Sequence, residues 1–279
     1  MRVVFAAELM ALSTFGRGRF WGSRYGTGEP WVLALHGWAR DHHDFDPVLA
    51  GLDAVALDLP GHGVAPEPPE PWSTAEYAQW VAPVLDDLGA GPVVVVGHSF
   101  GARVAVRLVG EIGADGGTGR VGALVLVGAP LAPPPGSAPG RPPLAYRAGR
   151  ALHRAGLVPE AQMERLRQKY ASEDYRRASQ TMRGVLVKSV SETARAAYMP
   201  AVRSWASAGR SLELIWGEHD TVTSLAGCQA ALEVLPATVP ETTASVRITV
   251  VPGAGHLMTP PVAAEVRAAL VRHQPRPGP

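Results

Sequence analysis

Residues 92–109 read PVVVVGHSFGARVAVRLV. Pro92–Val96 is short, β-branched and apolar on both faces, as a strand buried inside a parallel sheet must be. ARVAVRLV, residues 102–109, has the apolar spacing of a helix. Between them lies Gly97-His98-Ser99-Phe100-Gly101, a Gly-x-Ser-x-Gly pattern with a strand before it and a helix after it. A strand-to-helix turn this sharp holds the serine at strained backbone angles. The flanking glycines are required because side chains there would collide with neighbours. Such a turn lifts the Ser99 hydroxyl above the sheet, at a helix N-terminus whose free N–H groups and dipole favour negative charge. Ser99 is the candidate nucleophile.

Working outward, further strand-like runs flank this stretch: Trp31–Leu35 (WVLAL), Asp53–Leu59 (DAVALDL), Ala123–Val127 (ALVLV), Leu212–Trp216 (LELIW) and Val246–Val251 (VRITVV). Ser73 and Glu76 form a capping box ahead of Tyr77, Trp80, Val81, Val84 and Leu85, and Trp72 with Tyr77 forms a hydrophobic staple. Strands alternating with helices predict an α/β sheet covered on both faces. The opening MRVVFAAELMAL reads as a first strand and not as a signal peptide, because Glu8 interrupts the apolar run. The alternation breaks once. Residues 132–143 (APPPGSAPGRPP) are half proline, and residues 144 to 206 then read as helix only, with Tyr175, Met182, Val185, Leu186 and Val190 at helical spacing. The expected organisation is a core of residues 1–130 and 211–279, with residues 131–210 inserted as a helical cap over the carboxyl edge of the sheet. The tail HQPRPGP reads as frayed.

A hydroxyl needs a base before it attacks at neutral pH. Of nine histidines, His256 in Gly253-Ala254-Gly255-His256 follows the last strand, where a loop returns over the carboxyl edge. His42 and His43 lie in the acidic stretch ARDHHDFD and read as solvated or helix-capping. His62 reads as a turn residue, and His98 sits inside the serine's own turn, too close to reach back to it. A carboxylate that orients the base and stabilises its imidazolium is expected after Leu212–Trp216, where Gly217-Glu218-His219-Asp220 offers two. Asp220 is preferred, with Glu218 read as capping the following turn. An oxyanion hole needs two fixed donors: the N–H of Phe100, and the N–H of Trp38 in His36-Gly37-Trp38.

Five motifs, LHGW (35–38), DLPGHG (58–63), GHSFG (97–101), GEHD (217–220) and GAGH (253–256), stand in the order found in the α/β-hydrolase superfamily. Residues 31 to 272 resemble it. The resemblance implies an α/β-hydrolase fold, a mostly parallel sheet flanked by helices with an inserted helical cap, preceded by a small antiparallel hairpin within residues 2–25. The order Ser99, Asp220, His256 is the one this resemblance implies for a catalytic triad. It points to a serine hydrolase of the carboxylesterase-like branch, cleaving an ester or thioester through an acyl-enzyme, with no cofactor and no metal. The alternatives are the same triad used for acyl transfer or for lyase or C–C bond chemistry, or a ligand-sensing relative of low turnover. The loop holds one glycine where HGGG-type lipases hold three, and a serine at the elbow excludes the aspartate-dependent dehalogenase and epoxide-hydrolase chemistries.

Composition sets the limits. The 279 residues carry 26 Lys+Arg and 25 Asp+Glu, 46% apolar and 18% charged residues, and the mean hydropathy is +0.04. That balance is globular, and a net charge of +1 excludes global attraction to nucleic acid or an anionic membrane. No apolar run reaches the ~18 residues of a membrane span. The one cysteine, Cys228, excludes a disulfide framework within the chain and fits a cytoplasmic location. Charge is nevertheless uneven: residues 131–210 hold fourteen Lys/Arg and five Asp/Glu, a difference of +9, and the rest of the chain holds twelve and twenty, a difference of −8. Arg147, Arg150 and Arg154 share one helical face. Two readings stay open: a solvated face, or a positive rim that attracts an anionic small-molecule acyl substrate or an acidic carrier protein.

Overall fold

Five of the six apolar runs become central strands because their side chains fill both faces of a sheet, whereas Val246–Val251 forms an outer strand in which only Val251 is buried. In the computed structural model, residues 12–15, 18–114, 117–133, 144–170, 172–223, 225–226, 229 and 246–275 are described. In chain order the elements are β1 (Leu12–Phe15), β2 (Phe20–Tyr25), β3 (Val32–Leu35), α1 (Asp46–Leu49), β4 (Ala54–Asp58), α2 (Thr74–Val81), α3 (Val84–Asp87), β5 (Val93–His98), α4 (Phe100–Ala114) and β6 (Val121–Val127). There follow α5 (Leu144–Arg154), α6 (Glu160–Tyr170), α7 (Glu173–Arg177), α8 (Gln180–Ala194), α9 (Met199–Ser207), β7 (Ser211–Gly217), β8 (Val246–Val251) and α10 (Pro260–Arg272). Each of the six strand-like runs coincides with a strand to within two residues at either end. The reading of residues 1–11 as a strand, most of the proline-rich stretch, Cys228 and the last four residues lie outside the described residues.

The eight strands form one sheet in the order β1-β2-β4-β3-β5-β6-β7-β8. β1 and β2 pair antiparallel, and β2 runs antiparallel to β4; every pairing from β4 to β8 is parallel. Side chains alternate between the two faces. Leu33, Leu35, Val55, Leu57, Val95, Leu124, Leu126, Leu214 and Trp216 point to one face and join a core with α2, α4 and α9. Val32, Ala34, Ala54, Ala56, Val94, Val96, Val125 and Ile215 point to the other, against α1 and α10. In α10, Val262, Ala263, Val266, Ala269 and Leu270 are buried, one apolar stripe at helical spacing.

Local chemistry sets the helix starts. The Ser73 side chain accepts the Glu76 N–H while Glu76 accepts the Ser73 N–H, and Trp72 packs edge-on against Tyr77 at 5.5 Å. The helical periodicity from Tyr175 to Val190 proves to be two helices. The chain turns extended at Ala178 and Ser179, and the Ser179 side chain accepts the Met182 N–H to start α8 afresh. α8 then crosses the carboxyl ends of the parallel strands. Met182 presses on Gly61 after β4, the Lys188 ammonium donates to the Pro71 carbonyl at 2.5 Å, and Thr193 donates to the Pro130 carbonyl after β6 at 3.0 Å. α9 packs back onto the sheet layer, burying Tyr198, Val202 and Trp205 in the core shared with α4. No helix of the described residues is long and apolar enough to cross a membrane.

Candidate active site

Ser99 sits at the junction of β5 and α4 with φ +50°, a left-handed conformation that costs a non-glycine residue of order 1–3 kcal/mol. Tight neighbours hold it there. The Ser99 N–H donates to the Val127 carbonyl at the end of β6 (2.9 Å), and the Gly101 N–H donates to the His36 carbonyl after β3 (3.0 Å). A Cβ at position 101 would lie 2.1 Å from the Leu35 carbonyl oxygen. The second glycine of the motif is therefore fixed by the approach of β3 to the first turn of α4.

His256 follows β8, and its Nδ1 lies 2.7 Å from Oδ2 of Asp220. With the carboxylate accepting, Nδ1 carries the proton and Nε2 keeps its lone pair. Asp220 is itself fully engaged: Oδ1 accepts the Val222 N–H (2.8 Å) and the Thr223 N–H (2.9 Å), and Oδ2 accepts the Thr223 hydroxyl (2.7 Å). Burial pushes the Asp220 carboxyl up, but the hydrogen bonds from His256 and Thr223 outweigh it and hold the group below its ordinary range. The Thr223 hydroxyl in turn accepts the indole N–H of the fully buried Trp216 (3.1 Å), which ties the loop after β7 to the core.

His256 and Asp220 meet beside the residue that follows β6. A Cβ at Gly128, the residue after the Ser99-bonded Val127, would lie 3.0 Å from two atoms of the His256 ring and 3.2 Å from Asp220 Oδ2. His98, next to Ser99, donates from Nε2 to the His256 carbonyl at 2.8 Å. Glu218, the other carboxylate of its loop, accepts the Gly253 N–H at 2.8 Å. It thus braces the turn that leads to His256 and does not cap the turn after itself.

Around the candidate oxyanion donors an aromatic cluster is packed. The Trp38 ring stands edge-on to Phe100 (5.5 Å) and to His62 (5.0 Å), and Tyr77 stands edge-on to Phe100 (5.1 Å). His36 is buried, donates from Nδ1 to the Gly37 carbonyl (2.7 Å) and accepts the Leu59 N–H at Nε2 (2.9 Å). Both ring nitrogens are committed, so the ring is neutral and clamps the ends of β3 and β4 together. His62 is a turn residue as expected, but a buried one.

The structure revises the reading of His42. It is buried, and its Nδ1 donates to Asp58 Oδ1 at 2.8 Å while its backbone N–H donates to the same oxygen at 2.9 Å. Asp58 Oδ2 accepts the Val64 N–H at 3.0 Å. Its exposed neighbour His43 does pair with acidic residues of the stretch, Asp41 and Asp46. Burial raises the Asp58 carboxyl, and these three hydrogen bonds more than reverse that. Asp58 therefore pins the segment after Trp38, which includes Ala39 at φ +54°. Asp58→Ala leaves buried donors without acceptors. We expect a loss of about 3–5 kcal/mol in urea unfolding, with activity falling alongside. An unchanged midpoint would show that water replaces the carboxylate at no cost. Arg147, Arg150 and Arg154 of α5 are all exposed.

Comparison with known proteins places this geometry among relatives. The chain is similar to the Mycobacterium tuberculosis esterase Rv0045c, 41% identical over 88 residues, covering 30% of each chain. It is similar to lipase LipV of the same organism, 43% identical over 89 residues, 30% of this chain and 34% of that one. The matched stretch thus spans about a third of the length of these curated relatives. Among solved structures, the thioesterase domain from the curacin biosynthetic pathway superposes with a TM-score of 0.59 at 19% identity, over 95% of this chain and 98% of that one, a likeness of fold. A family model described as the alpha/beta hydrolase family matches residues 32–269, from the start of β3 into α10, and the chain belongs to that family.

Proposed function

We propose that this chain is a serine hydrolase of carboxylic esters or thioesters. Ser99 is the nucleophile, His256 the general base, Asp220 the orienting acid, and the backbone N–H groups of Trp38 and Phe100 form the oxyanion hole. The observation that carries the reading is the 2.7 Å His256–Asp220 hydrogen bond on a loop that is itself bonded to the residue beside Ser99. In the reaction, Ser99 Oγ attacks the substrate carbonyl as His256 Nε2 takes its proton. Negative charge gathers on the former carbonyl oxygen, where fixed N–H dipoles in a dry site are worth more than water. Collapse expels the alcohol or thiol, protonated by His256, and leaves an ester on Ser99. Water gives its proton to His256 and attacks that ester; collapse frees the acid and returns the proton to Ser99. No cofactor takes part in this scheme. Of the inserted residues 131–210, α5 to α8 act as a cap that bounds the acyl pocket, and α9 belongs to the core.

The similarity to an esterase and a lipase supports ester chemistry. A fluorophosphonate probe tests the assignment, since only an activated serine reacts with it. We expect one label, on Ser99, with labelling competed by short p-nitrophenyl esters that the protein hydrolyses. Absence of labelling together with absence of esterolysis would leave the elbow without its proposed role.

A further inference from the structure

His98 has no role in the chemistry just described, yet it is almost fully buried (1% exposed) and its position is costly. Its Nε2 lies 2.8 Å from the backbone carbonyl oxygen of His256, a residue 158 positions away. A carbonyl only accepts, so Nε2 carries the proton and Nδ1 is bare. Nδ1 is buried without a hydrogen-bond partner, which costs roughly 1–3 kcal/mol, and it faces the loop after β3: a Cβ at Gly37 would lie 2.8 Å from it. The imidazole also lies against the His256 ring, with centroids 5.0 Å apart and planes tilted by 40°. Burial, with His256 adjacent, pushes its pKa down to about 4, so the neutral tautomer that makes this bond persists at neutral pH. An apolar side chain would fill the space without the orphaned nitrogen. Tertiary packing alone therefore does not explain a histidine here.

We propose that His98 is a positioning residue that fixes the backbone of His256 against the nucleophile elbow, so that the base is held at two points: its ring by Asp220 and its main chain by His98. The proposal rests on the reading of Ser99 and His256 as nucleophile and base. Position 98 precedes the nucleophile, so any movement of Ser99 carries the anchor of His256 with it. Gly37 is required because the same imidazole fills the space where its side chain would stand.

Three variants separate this role from packing. His98→Gln places its amide N–H near the position of Nε2, whereas the shorter amide of His98→Asn cannot reach the His256 carbonyl; His98→Phe keeps a ring but has no donor. Turnover of p-nitrophenyl acetate is measured per serine labelled by fluorophosphonate, which removes any unfolded fraction from the comparison. The expected result is a fall in kcat of about 10- to 100-fold for Asn and Phe, the scale of a small misplacement of reacting groups. KM stays within about twofold, and Gln recovers to within about threefold of wild type, because the contact orients the base without touching substrate. Equal kcat per labelled serine in Asn and wild type, or Gln falling as far as Asn, overturns the proposal. If Phe does not fold, the Gln–Asn pair decides alone. Wild-type protein that takes no label instead removes the serine-hydrolase reading on which this rests, an outcome distinct from a labelled wild type with indifferent variants.

Discussion

Ser99→Ala is expected to lower turnover of short p-nitrophenyl esters by about 10⁶-fold, the scale seen when a nucleophile–base unit loses its nucleophile. That corresponds to about 8 kcal/mol of transition-state stabilisation. The fold should not notice. Alanine meets the same φ of +50° that serine already tolerates, the Ser99 N–H to Val127 bond and the Arg103 N–H to Ser99 carbonyl bond belong to the main chain, and only a hydroxyl is lost. An unchanged thermal midpoint with vanished activity therefore identifies chemistry and excludes unfolding. Asp220→Asn should cost about 10⁴-fold, because an amide in place of the carboxylate no longer fixes the imidazole with its proton on Nδ1. Adding Asp220→Asn to Ser99→Ala should cost almost nothing more, since residues acting as one unit are not additive. Wild-type turnover in Ser99→Ala would move the nucleophile elsewhere in the chain.

What the sequence made legible was local. The strand Val93–His98 announces itself because parallel strands are apolar on both faces, and the serine turn because strand, Gly-x-Ser-x-Gly and helix follow one another without a gap. His256 and Asp220 stand out as candidates by their place after strands, not by any property of their own. The illegible part is made of contacts between distant loops. Nothing in ARDHHDFD distinguishes His42, buried on Asp58, from His43, which is exposed beside it. The difference arises because β4 runs beside β3 and delivers Asp58 to the loop that follows β3. Periodicity likewise ran straight through Ser179: Tyr175 and Met182 are seven apart and stay in phase whether or not the helix pauses between them. The pause came from a serine cap, a signal present in the sequence but weaker than the apolar stripe above it. His98 shows the same limit in the site itself. Its partner is the main chain of a residue 158 positions later, and a backbone acceptor leaves no trace in a side-chain pattern.

The buried histidines also set how the protein meets acid, and the expected effect is large. His36, His62 and His98 are all buried and all have depressed pKa values. Burial is the main cause in each; His62, with His36 adjacent, is brought to about 3, and His98, with His256 adjacent, to about 4. In the unfolded chain each takes a proton near the ordinary histidine pKa of about 6.5. Below that pH the unfolded state holds protons that the folded state refuses, so stability falls as pH falls, by about 1.4 kcal/mol per pH unit for each such histidine. His42 has the opposite sign: burial lowers its pKa but the bond to Asp58 more than compensates, so its stabilisation is complete below about pH 6.5 and is lost only as pH rises through its folded value. Between about pH 6 and pH 4.5 it is protonated in both states and adds no slope. Asp58 and Asp220, both lowered, contribute stability above the ordinary carboxylate pKa of about 3.9 that is lost in more acid solution. Urea unfolding should therefore show a protein several kcal/mol weaker at pH 5 than at pH 7.5, with the steep dependence lying below about pH 6.5. His98→Gln should reduce the slope by about one proton while keeping the bond to His256, and a stability that does not change from pH 7.5 to pH 5 would mean that these rings take up protons without leaving the fold.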